Sequence, residues 1–159
     1  MVWAGVSTRG KMKLVFIDRT VKINAGYYQA EILKKHVHPT ARKLFGRQRL
    51  WLQQDWTLAH WARSILAYCQ RLFPHRFCSK EMWPSASSDP NPLDYAIWAL
   101  LMQLLGRGRF QSLKQLKAAL RWAWQRITTK QLQNIVGQFR KRLMACIVAK
   151  GGNCEHLLR

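Results

Sequence analysis

Leu50-Trp51-Leu52-Gln53-Gln54-Asp55 is a run of strand length that ends on an acid. From Trp61 to Phe73 the apolar positions Ala62, Ile65, Leu66, Cys69 and Leu72 then recur at helical spacing. A strand, an acid-bearing turn and a helix in that order predict an α/β chain. Upstream, Met1 to Ser7 and Lys13 to Ile17 are β-rich runs on either side of Thr8-Arg9-Gly10-Lys11, which predicts a hairpin. Asn24 is a good N-cap, and Tyr28, Ile32 and Leu33 predict a helix reaching about Phe45. Downstream, Pro84, Ser85, Ser87, Ser88, Asp89, Pro90, Asn91 and Pro92 predict a loop, because prolines lack a donor and restrict their predecessors. A buried apolar helix is expected over Leu93 to Leu105, broken by Gly106-Arg107-Gly108. Ser112 would cap a helix through Leu113, Leu116, Leu120 and Trp124. One last helix would run from Thr129 through Leu132, Ile135, Val136, Phe139, Leu143 and Ile147 to a stop at Gly151-Gly152. There is no internal repeat.

The 159 residues carry 27 Lys and Arg against 7 Asp and Glu, a formal net charge of +20, spread along the sequence. Such an excess points to a polyanionic partner, most simply nucleic acid, since uncompensated cations also repel one another and oppose compaction. With 48% hydrophobic residues and eight tryptophans the chain has the apolar material that disordered sequences lack. Cys69, Cys78, Cys146 and Cys154 form no Cys-x-x-Cys and read as buried or free thiols; with His75 or His156 they match none of the usual zinc spacings. The longest apolar run, Tyr95 to Leu105, is too short for a membrane span.

Among so few acids, Asp55 at a strand end and Asp94 at a helix start stand out. Carboxylates at the ends of neighbouring elements can converge on hard divalent cations that activate an attacking oxygen and stabilise a leaving one. Equally, Asp94 can be an acid favoured by its helix dipole and Asp55 a polar turn residue.

The words around them are specific. Gln53-Gln54-Asp55 followed by Ala59-His60, and Trp83-Pro84 followed by Ser87, Asp89 and Asn91-Pro92-Leu93-Asp94-Tyr95, resemble the second and third acidic motifs of Tc/mariner-superfamily DNA transposases. Between the two acids lie 38 residues, a separation of the kind that family uses. Val2-Trp3-Ala4-Gly5-Val6-Ser7 resembles the strand after the family's first catalytic strand, and Val21-Lys22-Ile23-Asn24 with Tyr27-Tyr28 the segment after that. The resemblance implies an RNase H-like catalytic (DDE/DDD) domain: a mixed sheet with flanking helices and a helical C-terminus, residues 1–105 being the core and 106–159 the C-terminal helices. It implies Asp55 and Asp94 as catalytic, metal-binding carboxylates for Mg²⁺ or Mn²⁺, and His60 and Asn91 as motif neighbours without an assigned role. It also implies duplex DNA as partner, a homodimer, a nuclear location, and neither a membrane nor a small-molecule substrate.

The sequence departs from the family pattern in several places. The first catalytic aspartate and the strand that bears it are not encoded before Asp55, since Asp18 ends the hairpin and Glu31 lies in a helix, so the domain reads as N-terminally truncated. Thr57 and Leu58 stand where the family has Ala-Pro, Trp56 replaces a small residue, Ser88 a Pro and Pro90 a Leu. Loss of loop prolines enlarges the unfolded ensemble and would loosen the turn that aims Asp55. The expectation is a transposable-element-derived DNA-binding protein whose ancestral strand cleavage and transfer is inactive in this fragment and whose metal binding is weak or absent. The rival is a non-enzymatic basic DNA- or RNA-binding protein.

Overall fold

The computed structural model describes residues 1–55, 57–78, 90–150 and 155–158. Expectations resting on Trp56, Trp83, Pro84, Ser87, Ser88, Asp89, Gly151, Gly152 and Cys154 lie outside the described residues.

The hairpin forms, with a tighter turn than its sequence suggests. Strands β1 (Val2–Trp3) and β4 (Val15–Phe16) pair antiparallel, as do β2 (Val6–Ser7) and β3 (Gly10–Lys11), so the loop is only Thr8-Arg9. Between the two ladders Ala4 and Gly5 face Met12, Lys13 and Leu14, one residue more on the returning strand, which makes a bulge. Met12 N–H donates to Gly5 O at 2.8 Å across it. Gly5 permits this approach, because a Cβ there would stand 2.6 Å from Met12 Sδ.

Helix formation after the hairpin starts where Asn24 predicts, its side chain accepting from Tyr27 N–H at 2.9 Å. The continuous run is α1 (Ala25–Tyr27), a π-helix Tyr28–Val37 and α2 (His38–Phe45). The wide centre follows from the burial pattern. Tyr28, Ile32, Leu33 and Val37 are buried at spacings of four and five, and His38 N–H donates five residues back to Leu33 O. Pro39, which has no N–H to donate, sits where the ladder returns to α geometry. After α2, the strand expected at Leu50 to Gln54 is reduced to one parallel bridge, Leu52 with Phe77. A strand exists only where a neighbour supplies a ladder, and among the described residues Leu52 finds Arg76 and Cys78 alone. A 3₁₀ turn (Leu58–Trp61) leads into α3 (Arg63–Leu72), whose buried face is Ile65, Tyr68 and Cys69.

A second π-helical stretch, Leu93–Ile97, opens α4 (Trp98–Leu105). The run is not buried throughout: Ile97 and Leu101 are inside, whereas Met102 is 62% exposed. Gly106, at φ +68, ends it as expected. Helix α5 (Leu113–Arg126) starts at Ser112, whose Oγ accepts from Gln115 N–H. The expected final helix is two, α6 (Thr129–Gly137) and α7 (Phe139–Val148), followed by a 3₁₀ turn Glu155–Leu158. Glycine is a poor helix former, and after Gly137 the Gln138 N–H turns back three residues to Ile135 O. The break rotates α7, so Ile147, expected inside, is exposed; Leu113 is exposed as well.

The chain forms two compact units. The first holds Met1 and the chain from Ile17 through α3; the second holds Val2–Phe16 and the helices from Leu93 onward. In the second, Ala4 and Leu14 from the hairpin pack with Ile97, Leu101, Trp124, Ile127 and Leu132. The indole of Trp124 donates to Met12 O at 2.7 Å, and the Lys11 ammonium donates to Ile127 O and, at 3.4 Å, to Gln125 O. Lys11 thereby closes the last carbonyls of α5, and burial lowers its pKa.

At the start of α6, Thr128 and Gln131 form a reciprocal capping box, with N–H to oxygen distances of 2.8 and 3.2 Å. Thr128→Ala is expected to cost about 1 kcal/mol in urea unfolding. A change below a few tenths would show that the cap adds nothing.

Candidate active site

Asp55 is aimed from behind by buried groups. Leu52 is pinned by its two backbone bonds, to Arg76 O and from Cys78 N–H, each 2.9 Å. Two residues on, Gln54 is buried: its Oε1 accepts from the Tyr28 hydroxyl at 2.7 Å, and its Nε2 lies 3.9 Å from Cys69 Sγ. Burial pushes the Cys69 thiol up to about 11, so at neutral pH it is a protonated core group. It also holds the Tyr28 phenol well above its ordinary range, aided by Cys69 and Asp55.

The Asp55 carboxylate itself is half exposed. Its Oδ1 accepts from Thr57 N–H at 3.0 Å and lies 2.7 Å from Nδ1 of buried His60. His60 sits in the 3₁₀ turn, its ring against that of Tyr28 at 3.9 Å between centroids. Partial burial would raise the Asp55 pKa, but His60 and the Thr57 hydrogen bonds outweigh it and bring it to about 2. The acid is therefore ionised at any ordinary pH. The turn expected to loosen without its proline is held by this Asx-type bond and by His60, while Leu58, in the proline's place, is 89% exposed and touches little.

Asp94 is held in a parallel way. Asn91 Nδ2–H donates to Asp94 Oδ2 at 2.7 Å, Asn91 Oδ1 accepts from Leu93 N–H at 3.2 Å, and Asn91 O accepts from the N–H groups of Asp94 and Tyr95. One asparagine thus caps the helix and orients its first-turn acid. Pro90 and Pro92 are buried beside it. The next residue, Tyr95, donates its hydroxyl to Ile135 O at 2.5 Å, and Arg142 Cζ lies 4.0 Å over its ring. Arg142 is therefore half-buried as a stacked cation, while Arg140, Lys141 and Lys150 on the same C-terminal stretch are exposed.

The structure places both sequence-predicted acids on the surface, Asp55 in the first unit and Asp94 in the second. Each is gripped by the other polar residue of its own motif, a role for His60 and Asn91 that the sequence left open. Accessible carboxylate oxygens suit a hard divalent cation. Among the described residues no three His, Cys, Asp or Glu side chains come together as a ready metal site. No helix among them is long and apolar enough to cross a membrane. Sequence reasoning missed Tyr28 and Gln54 as supports; an amide beside the acid and a tyrosine on a buried helix face were the only signals.

A scan against protein-family models and a search of curated proteins give no match. Solved structures do. The catalytic domain of Mos1 mariner transposase superposes with a TM-score of 0.74 at 20% identity, over 97% of this chain and 74% of that one. The same domain bound to Raltegravir and Mn gives 0.74 at 19% identity, over 97% and 76%. The Mos1 transposase paired-end complex with left transposon end gives 0.79 at 19% identity, over 97% of this chain and 44% of that chain. This chain has the fold of the catalytic domain of a mariner transposase.

Proposed function

We propose that this chain is a transposable-element-derived, DNA-binding protein with an RNase H-like core, in which Asp55 and Asp94 are two of the carboxylates of an ancestral strand-cleaving and strand-transferring site. What carries the proposal is the coincidence of two things. The fold agrees with Mos1 over 97% of the chain, and each motif acid is tied by a 2.7 Å contact to the polar residue of its own motif. The Mos1 catalytic domain has been seen with Mn and with Mg, which supports the same ions for the ancestral enzyme. Asp55 and Asp94 would be the residues to hold such an ion, which supplies charge neutralisation and Lewis acidity at a phosphodiester. His60 and Asn91 keep those acids fixed and His60 keeps Asp55 ionised. Mos1 forms paired-end complexes with transposon DNA, and by analogy we place this chain on duplex DNA in the nucleus as a homodimer.

The net charge of +20 supplies the affinity. Titrating the protein onto a labelled duplex of arbitrary sequence at 50 mM salt, followed by anisotropy, is expected to show saturable binding, equal for unrelated sequences. No binding at that salt overturns the proposal.

A further inference from the structure

Between Asp94 and Glu155 the sequence has eleven Lys or Arg and no acid. Helix α5 concentrates three of these cations on one side. Lys114, Lys117 and Arg121 are spaced i, i+3 and i+7, which at 3.6 residues per turn puts them within an arc of about 60°. Two are held in place. Lys117 Nζ and Arg121 Cζ lie 5.7 and 4.8 Å from the same Phe16 ring, and Phe16 is itself fixed opposite Val2 in the β1–β4 ladder. The opposite case is Lys35 in the first unit, whose ammonium is taken up by Glu31 at 2.6 Å. A cation stacked on an aromatic face keeps its charge and its outward N–H donors but has lost part of the side-chain freedom that binding would otherwise cost.

From this we infer that the Lys114–Lys117–Arg121 stripe of α5, shelved on Phe16, is a principal contact surface for the phosphodiester backbone of duplex DNA. The helix rise separates successive members by roughly 4.5 and 6 Å along the axis. Phosphates follow one another at about 3.4 Å of axis per strand, so adjacent cations meet different phosphates. The contact fixes position and carries no base readout, because it reaches only the backbone.

This inference rests on the DNA-binding proposal, and the test separates the two. Duplex binding is measured against salt for three forms of the full chain. These are the wild type, the α5 triple variant (Lys114→Gln, Lys117→Gln, Arg121→Gln), and a charge-matched control in the first unit (Lys34→Gln, Arg42→Gln, Lys43→Gln), all exposed positions except the half-buried Lys117. Circular dichroism confirms that each form is folded. Every lost phosphate contact removes about 0.9 from the slope of log K against log salt. The α5 variant is therefore expected to be shallower by roughly 2 to 3 and weaker by at least tenfold at 50 mM salt, with the control changing by less than half as much. Equal losses in the two variants, or an α5 variant with the wild-type slope, overturn the assignment to α5 while leaving DNA binding standing. Absence of binding by the wild type removes both.

Discussion

Raising salt from 50 to 200 mM is expected to weaken duplex binding by roughly a thousandfold or more. The figure follows from counterion release: each phosphate neutralised by a cation frees condensed salt, and roughly six to ten contacts give a loss of about 10³ to 10⁵ over that range. The chain has cations to spare for such a number, 27 Lys and Arg against 7 acids. Among the described residues Lys35 is paired with Glu31 and Asp55 is in contact with His60. Seven acids cannot neutralise 27 cations, so most of the positive charge is left for an external anion. An affinity indifferent to salt would mean that binding, where it occurs, is not driven by the backbone.

Trp124→Ala is expected to lose about 3 to 5 kcal/mol of stability, the range for emptying a buried aromatic site. Trp124 is 4% exposed, packs with Ala4, Leu14 and Ile97, and ties α5 to the hairpin through Met12 O. Against a total stability of about 5 to 15 kcal/mol, this single change brings the second unit close to unfolding. Trp124→Phe keeps most of the apolar contact and strands the Met12 carbonyl, so a smaller loss of about 1 to 3 kcal/mol is expected. Urea unfolding followed by circular dichroism measures both; the tryptophan content makes fluorescence ambiguous. A loss under 1 kcal/mol for Trp124→Ala would show that the hairpin and α5 do not share a core.

Where local chemistry decides structure, the sequence was readable. Asn24 and Ser112 cap the helices they were expected to cap, and Gly106 ends α4. Leu50 to Gln54 failed as a strand because an apolar run reports burial, not the presence of a partner; Gln54 is buried, yet Leu52 finds only a bridge. The π-helical centre at Tyr28–Val37 was hidden because apolar positions four and five apart also satisfy a helical pattern loosely. The apolar positions of the last helix continue in phase past Gly137 and so predict one helix, and only the backbone shows the turn there. At the candidate site the two acids could be picked out by motif. Their partners could not be paired with them in advance: the His60 contact depends on a 3₁₀ turn, and the Asn91 contact on a cap, that place side chains five and three residues apart face to face.

We propose that these 159 residues bind DNA and carry two carboxylates of an ancestral strand-cleaving site without cutting DNA themselves. The most direct test of this is supercoiled plasmid incubated at low salt with Mg²⁺ or Mn²⁺ and the wild-type chain, Asp55→Ala or Asp94→Ala, then resolved by gel before and after removal of protein. In-line phosphoryl transfer needs its ions held in register, and among the described residues no three His, Cys, Asp or Glu side chains come together to hold them. The predicted result is plasmid retarded by all three proteins and recovered supercoiled from each. Plasmid that is not retarded at all, or metal-dependent nicking by the wild type that disappears in both variants, would contradict it.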